Sequence, residues 1–125
     1  MHMAAATQKL AAEYINADYD ELTFQSSSTC SLEIVISGLV NTGFIKKDEI
    51  VLYSSQEHEG GTSSLMFHQS CGNLRTVMVD LPTIPLPTKS SIVSAFAKAI
   101  DNNPNVKLLL ISHVSCNATI LLKFE

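Results

Sequence analysis

Apolar residues recur every three to four positions in four segments of the chain, and this spacing predicts four helices with one apolar face each. The segments cover about residues 4–15, 29–40, 62–69 and 90–102. The second segment is the clearest, because its apolar positions fall on one helical face: Leu32, Val35, Ile36 and Leu39. Gly43 lies just past this helix, and Thr88 or Ser90 is predicted to cap the fourth.

Short apolar runs between these helices predict strands at residues 22–24, 49–54, 76–80 and 106–112, with a further short strand at 120–124. The run at 106–112 is apolar throughout its middle, which is typical of a strand buried on both faces. Residues 81–87 contain three prolines, which predicts an extended surface connection. Because strands alternate with helices, we expect an α/β fold class, a partial three-layer α/β/α arrangement with a mainly parallel sheet. Residues 1–125 are expected to form one partial domain, without a second domain.

Composition limits the classes of partner and compartment. The chain has 125 residues, of which 46% are hydrophobic and 16% charged, and its formal net charge is -4, as in a small globular domain. It has no cluster of Lys and Arg, so nucleic acid is not an expected partner. It has neither a membrane-length apolar run nor the features of a signal peptide, so we expect no membrane contact and a cytoplasmic location. Cys30, Cys71 and Cys116 are far apart, which predicts reduced thiols and no metal site.

Polar clusters follow three of the predicted strands. Residues 25–29 form a hydroxyl-rich turn into the second helix, residues 56–61 contain a histidine, and residues 113–115 follow the strand at 106–112. In open α/β sheets, ligands bind outside the carboxyl ends of the strands. These clusters are therefore candidates for binding a phosphorylated ligand.

Each candidate residue also has an ordinary structural interpretation. Ser28 and Thr29 lie at a helix start, where free N–H groups and the helix dipole favour an anion, but Ser and Thr are also common helix caps. His58 could stack on a flat ligand or be a solvated loop residue. The flanking Glu57 and Glu59 are interpreted as solvated side chains.

Six short stretches match a known family in their order and spacing: residues 20–24, 28–35, 38–39, 47–51, 57–59 and 109–115. Through these stretches, the chain resembles the cofactor-binding large domain of class V aminotransferases, which are fold-type I pyridoxal-phosphate enzymes. The resemblance spans about residues 9–119 and looks closest to the isopenicillin N epimerase-like branch, with cysteine desulfurases more distant. It implies a truncated PLP-dependent transferase fold containing the N-terminal part of the large domain.

The resemblance implies pyridoxal 5'-phosphate as the cofactor and assigns residues to it. Ser28, Thr29 and Cys30 match the helix start that holds the phosphate. His58 matches the residue that stacks against the pyridine ring. Cys116 stands where cysteine desulfurases have an Asn that contacts the phenolic oxygen of the cofactor. The implied substrate class is a small-molecule amino acid.

Two family residues are expected to be missing. The Asp that pairs with the pyridine nitrogen and the Schiff-base Lys lie on later strands of the family fold, and Lys98, Lys107 and Lys123 are poor substitutes. We therefore expect a fragment or truncated form of such an enzyme, inactive alone. Its open sheet edge predicts self-association or a homodimer. The alternatives are a non-catalytic relic or pseudoenzyme acting as an interaction module, and a small phosphate-ligand binding domain.

Overall fold

The computed structural model of the protein describes residues 3–115, which form helices on both faces of a small parallel sheet. The elements in chain order are α1 (Met3–Ile15), α2 (Ser28–Asn41), β1 (Ile50–Ser54), α3 (Glu59–Ser70), β2 (Arg75–Val79), α4 (Lys89–Asp101) and β3 (Val106–Leu110). Within the described residues the sheet has the strand order β2-β1-β3, and both pairings of β1 are parallel. The predicted α/β class and α/β/α layering are confirmed.

The central strand β1 separates two hydrophobic cores. Ile50 and Leu52 point to the layer that contains α4, and Val51 points to the layer that contains α2 and α3. This alternation follows from the two-residue period of a strand. The α4 core consists of Ile50, Leu52, Val79, Leu81, Ile92 and Phe96. The α2–α3 core consists of Ile36, Ile45, Val51, Leu65 and Leu74.

The four predicted helices are confirmed, and the largest difference is at the start of α3. This helix begins at Glu59 instead of 62, so it includes Gly60 and Gly61. Glycine is a poor helix former, which is why the sequence predicts a later start. The helix starts early because His58 caps it, its side chain accepting a hydrogen bond from the Gly60 N–H. Thr88 caps α4 as predicted.

The prediction of a strand at residues 22–24 is wrong. Within residues 3–115 this segment pairs with no strand, and the Gln8 side-chain amide of α1 donates hydrogen bonds to the carbonyls of Tyr19 and Leu22. A side-chain amide thus replaces the sheet partner that the apolar pattern suggests. The predicted strand at 120–124 lies outside the described residues.

The prediction that the strand at 106–112 is buried on both faces is also wrong. β3 covers only Val106–Leu110, and its side chains alternate between half-buried and exposed, with Lys107 and Leu109 exposed. The reason is its place at an edge of the described sheet, with β1 on one side only. The predicted self-association through an open edge stays a prediction.

The described part of the chain contains no helix with the length and apolar character that a membrane crossing requires. The cytoplasmic location and the single-domain assignment for residues 1–125 stay predictions.

A polar network connects α2 and α3 around the buried His68. The Ser37 hydroxyl donates to Glu33 Oε1 at 2.7 Å and lies 2.9 Å from His68 Nε2, while Asn73 Nδ2 lies 3.2 Å from His68 Nδ1. The side chains of Ser64 and Ser37, followed by the charge of His68, lower the pKa of Glu33 below its ordinary value of 4.5. These polar contacts supplement the apolar packing between the two helices.

We expect the Glu33 carboxylate to make stability depend on pH. Because its pKa is lower in the folded chain than in the unfolded chain, ionised Glu33 stabilises the fold above pH 4.5, and this contribution is lost as the pH falls through the lowered folded value. The difference in unfolding free energy between wild type and Glu33→Gln, measured by urea denaturation, should therefore shrink as the pH is lowered below 4.5. The exposed Glu13→Gln serves as the control, and a Glu33→Gln difference that is constant with pH contradicts the assignment.

The α2–α3 core should be sensitive to loss of volume at Leu65, whose side chain is fully buried. We expect Leu65→Ala to lower the unfolding free energy by about 2–5 kcal/mol, because it removes buried surface and leaves a cavity. Met66→Ala, at an exposed position of the same helix, should cost less than about 1 kcal/mol. Urea denaturation of both variants measures the difference, and similar losses would contradict the assigned core.

Candidate cofactor-binding site

The start of α2 presents unused hydrogen-bonding groups. Its cap is Ser27, whose backbone is extended and whose hydroxyl accepts from the Cys30 N–H at 3.1 Å. Ser28 and Thr29 are therefore the first two helical residues, and the interpretation that either is the cap is wrong. Within residues 3–115, the hydroxyls of Ser28 and Thr29 have no hydrogen-bond partner, and both residues are exposed.

The backbone at this helix start favours an anion. The first N–H groups of a helix have no partner within the helix, so those of Ser28 and Thr29 add to the two hydroxyls as donors. The positive end of the helix dipole lies at the same point. Together these donors suit a phosphate group.

The ring of His58 is held at the start of α3. As the cap of this helix, His58 accepts a hydrogen bond at Nδ1 from the Gly60 N–H at 2.9 Å, and its carbonyl accepts from the Gly61 N–H at 2.8 Å. With Nδ1 acting as an acceptor, the neutral ring carries its proton on Nε2. The ring is therefore oriented by the helix that it caps, although the residue itself is exposed.

Gly60 brings the starts of the two helices together. A Cβ atom at Gly60 would lie 2.6 Å from Thr29 Oγ1 and 3.1 Å from His58 Nδ1. Thr29 and His58, predicted from separate parts of the sequence, therefore both lie next to Gly60. Gly60 is not among the site residues predicted from sequence, although the glycine pair that begins two residues after His58 is a signal for it.

Glu57 joins the carboxyl ends of two strands, so its interpretation as a solvated side chain is wrong. Its Oε1 accepts from the Ser54 hydroxyl at 2.7 Å and from the Ser112 N–H at 3.0 Å. Its Oε2 accepts from the Ser112 hydroxyl. Ser54 ends β1 and Ser112 follows β3, so the carboxylate bridges these strands at the edge where His58 lies. The neighbouring Glu59 is exposed, as predicted.

The remaining predicted cysteines contribute less to this geometry. Cys30 is half-buried, its N–H is used by the Ser27 cap, and its thiol lies 3.8 Å from Gln25 Oε1. Cys116 lies outside the described residues. Among residues 3–115, no group of three or more His, Cys, Asp and Glu side chains is arranged to hold a metal ion.

Two lysines that the sequence marks as poor substitutes for a Schiff-base Lys lie within the described residues, and both are away from this site. Lys98 is exposed in the last turn of α4. Lys107 Nζ lies 3.9 Å from Glu49 Oε1 and 4.8 Å from the centre of the Phe44 ring, near the residue that precedes β1. It is therefore at the amino edge of the sheet, whereas His58 is at the carboxyl edge.

Comparison with known proteins identifies one matching family. The model of the Aminotransferase class-V family matches residues 1–120, nearly the whole chain. The match includes every residue of the site described above. The contacts between those residues come from the structure alone. A search of curated proteins gives no match to the chain.

Contact between Thr29 and Gly60 should appear as a coupling between substitutions. We expect Gly60→Ala to destabilise the protein relative to Gly61→Ala, because a Cβ at Gly60 meets Thr29 Oγ1 at 2.6 Å, whereas one at Gly61 meets Leu32 Cδ1 at 3.7 Å, an ordinary contact. Thr29→Ala removes the obstructing oxygen and should restore part of the loss. The expected coupling free energy is about 0.5–3 kcal/mol.

Urea denaturation of the four proteins in this double-mutant cycle measures the coupling. Gly61→Ala in the same Thr29 backgrounds is the matched control and should show no coupling. Additive effects of Gly60→Ala and Thr29→Ala would contradict the close approach of the two helix starts.

Proposed function

Because the chain belongs to the aminotransferase class V family, we propose that it forms the phosphate-binding and ring-binding part of a pyridoxal 5'-phosphate site. The observation that carries this proposal is the placement of Thr29 and His58 next to Gly60, in the turn and helix start that follow the carboxyl end of β1. Ligands of open α/β sheets bind at this position. When bound, pyridoxal phosphate supplies the electron sink for amino-acid chemistry.

Ser28 and Thr29 are proposed to bind the phosphate. Their hydroxyls are not used by the helix cap, and their N–H groups lie at the positive end of α2. Gly60 supports this role, because any Cβ at that position would occupy the space beside Thr29 Oγ1. Cys30 supports it less directly, since its N–H completes the cap that starts the helix.

His58 is proposed to stack on the pyridine ring. The hydrogen bond from the Gly60 N–H to Nδ1 holds the imidazole in one orientation, which suits stacking on a flat ligand. Because Nδ1 is already an acceptor, His58 cannot take a proton at this nitrogen without losing its cap. We therefore propose that His58 orients the ring and does not act as a base through Nδ1.

For the reaction class, we propose amino-acid chemistry of the isopenicillin N epimerase-like branch, on a small-molecule amino acid. The supporting stretches are residues 57–59 and 109–115, where the resemblance places the turn that carries the stacking residue and the end of β3. A cysteine desulfurase-like reaction is less well supported, because Cys116 replaces the Asn expected there.

We propose that residues 3–115 bind the cofactor without a covalent link. Lys107 lies at the opposite edge of the sheet from His58, and Lys98 is exposed on α4. Neither position suits a lysine that reacts with a ligand near His58, and covalent chemistry with pyridoxal phosphate needs such an amine. Activity as an aminotransferase, epimerase or desulfurase is therefore not expected from these residues alone.

The proposal can be tested with ligands that cannot react with lysine. We expect pyridoxine 5'-phosphate, which has the ring and phosphate but no aldehyde, to bind with a Kd from high micromolar to millimolar, or about -4 to -6 kcal/mol. Thr29→Val should weaken the binding of both this ligand and inorganic phosphate, because it removes a hydrogen-bond donor near the phosphate. His58→Asn should weaken mainly pyridoxine 5'-phosphate, because Asn keeps a capping side chain but has no ring.

Isothermal titration calorimetry with both ligands against each variant measures these effects. Ser26→Ala, an exposed hydroxyl before the cap, is the control for Thr29. Equal losses for the two ligands in His58→Asn would contradict stacking, and unchanged binding in Thr29→Val would contradict the phosphate site.

A further inference from the structure

Glu57 occupies the junction between the His58 turn and the end of β3. The turn connects β1, which ends at Ser54, to α3, which starts at Glu59. From it, the Glu57 carboxylate accepts hydrogen bonds from the Ser112 N–H at 3.0 Å and from the Ser112 hydroxyl. It also accepts from the Ser54 hydroxyl at 2.7 Å. One side chain thus contacts the ends of two neighbouring parallel strands.

The opposite side of this turn is anchored to the segment after β2 by other residues. The Gln56 side-chain amide donates to the Leu81 carbonyl at 2.9 Å, and the Ser55 hydroxyl accepts from the Leu81 N–H at 2.9 Å. The Ser55 N–H donates to the Val79 carbonyl at 2.9 Å. These bonds connect the turn to the segment after β2, and the Glu57 hydrogen bonds connect it to the end of β3.

The end of β3 needs such a connection because its strand pairing stops early. The last residue of β3 paired with β1 is Leu110, opposite Tyr53. Ser112 lies two residues beyond this pair, so its N–H has no strand partner and donates to Glu57 instead. A half-buried N–H without an acceptor is costly, and a carboxylate is a stronger acceptor than a neutral group.

We propose that Glu57 is a positioning residue for the cofactor ring: by binding Ser112, it sets the distance between the His58 ring and the end of β3. This inference rests on the proposed function of His58 as the stacking residue. His58 follows Glu57 directly, so a displacement of the carboxylate is transmitted to the imidazole through one peptide unit. The phosphate donors lie on α2, which has no hydrogen bond to Glu57 within residues 3–115.

Because Glu57 has no hydrogen bond to α2 within residues 3–115, its removal should affect the ring contact and the phosphate contact differently. Loss of the carboxylate should disturb the ring contact and leave the phosphate contact in place. General destabilisation of the fold would instead weaken the binding of both ligands to a similar extent. The ratio of affinities for pyridoxine 5'-phosphate and inorganic phosphate therefore distinguishes positioning from a purely structural role.

The test compares Glu57→Gln and Ser112→Ala with Glu59→Gln. Glu57→Gln removes the charge and one acceptor oxygen, and Ser112→Ala removes one donor while keeping the N–H, so it is the milder change if the first variant folds poorly. Glu59→Gln makes the same chemical change at the exposed residue on the other side of His58. Calorimetry with the two ligands should show about a fivefold weaker binding of pyridoxine 5'-phosphate in Glu57→Gln, and phosphate binding within about twofold of wild type.

The NMR signals of the His58 imidazole in the ligand-free protein provide a second readout. They should shift or broaden in Glu57→Gln and in Ser112→Ala, and stay unchanged in Glu59→Gln. Unchanged His58 signals in both test variants, or equal weakening of the two ligands, would overturn the inference. If wild type binds phosphate without any preference for the ring ligand, the proposed function of His58 fails, and the imidazole signals still decide whether Glu57 positions the residue.

Discussion

Burial of β1 between two helical layers is the constraint on which the other features of this structure depend. Val51 and Leu52 are fully buried on opposite faces of the strand, so α4 must cover one face while α2 and α3 cover the other. β1 also pairs in parallel with both neighbours, which brings the carboxyl ends of all three described strands to one edge. Polar residues that follow these strands therefore meet there, although 55 positions separate Glu57 from Ser112.

The α2–α3 layer adds a second requirement, because the two helices must start side by side. Leu65 and Ile36 pack in their shared core, and the Glu33–Ser37–His68 contacts connect them along their length. At their starts, only the absence of a side chain on Gly60 allows Thr29 Oγ1 to approach so closely. The same packing that stabilises the layer thus determines the distance between the proposed phosphate and ring contacts.

Periodicity alone predicts most of the secondary structure, and its failures have physical causes. The apolar spacing of α2 and α4 predicts both helices to within two residues, because their buried faces dominate their sequences. The segment at 22–24 has the composition of a strand, but hydrogen bonds from Gln8 hold it elsewhere. Such a long-range side-chain contact leaves no periodic signal.

Some residues of the candidate site can also be predicted from the sequence, and others cannot. Ser28 and Thr29 can be chosen from sequence because they are hydroxyl residues at the start of a predicted helix, and His58 because it follows the strand β1. Gly60 and Glu57 cannot, because their roles depend on neighbours in space: Thr29 on another helix, and Ser112 on another strand. The helix cap is also not identified by sequence, because the adjacent serines 26–28 are chemically equivalent until the backbone defines Ser27 as the cap.

The proposed phosphate contact and the proposed stacking contact differ in how strongly their energies depend on distance and orientation. The residues of the two contacts are also held in place to different extents. A helix start stabilises an exposed anion by about 0.3–1 kcal/mol, and a charge interaction weakens only gradually with distance. Stacking needs two flat groups at a defined separation and orientation, so a small displacement removes most of it. The hydroxyls of Ser28 and Thr29 have no partner within residues 3–115, whereas the turn before His58 is anchored to the segments after both neighbouring strands. In the proposed site, discrimination between a phosphorylated ring and free phosphate therefore has to come from the anchored His58 turn, because the proposed α2 contact involves only the phosphate group that the two ligands share.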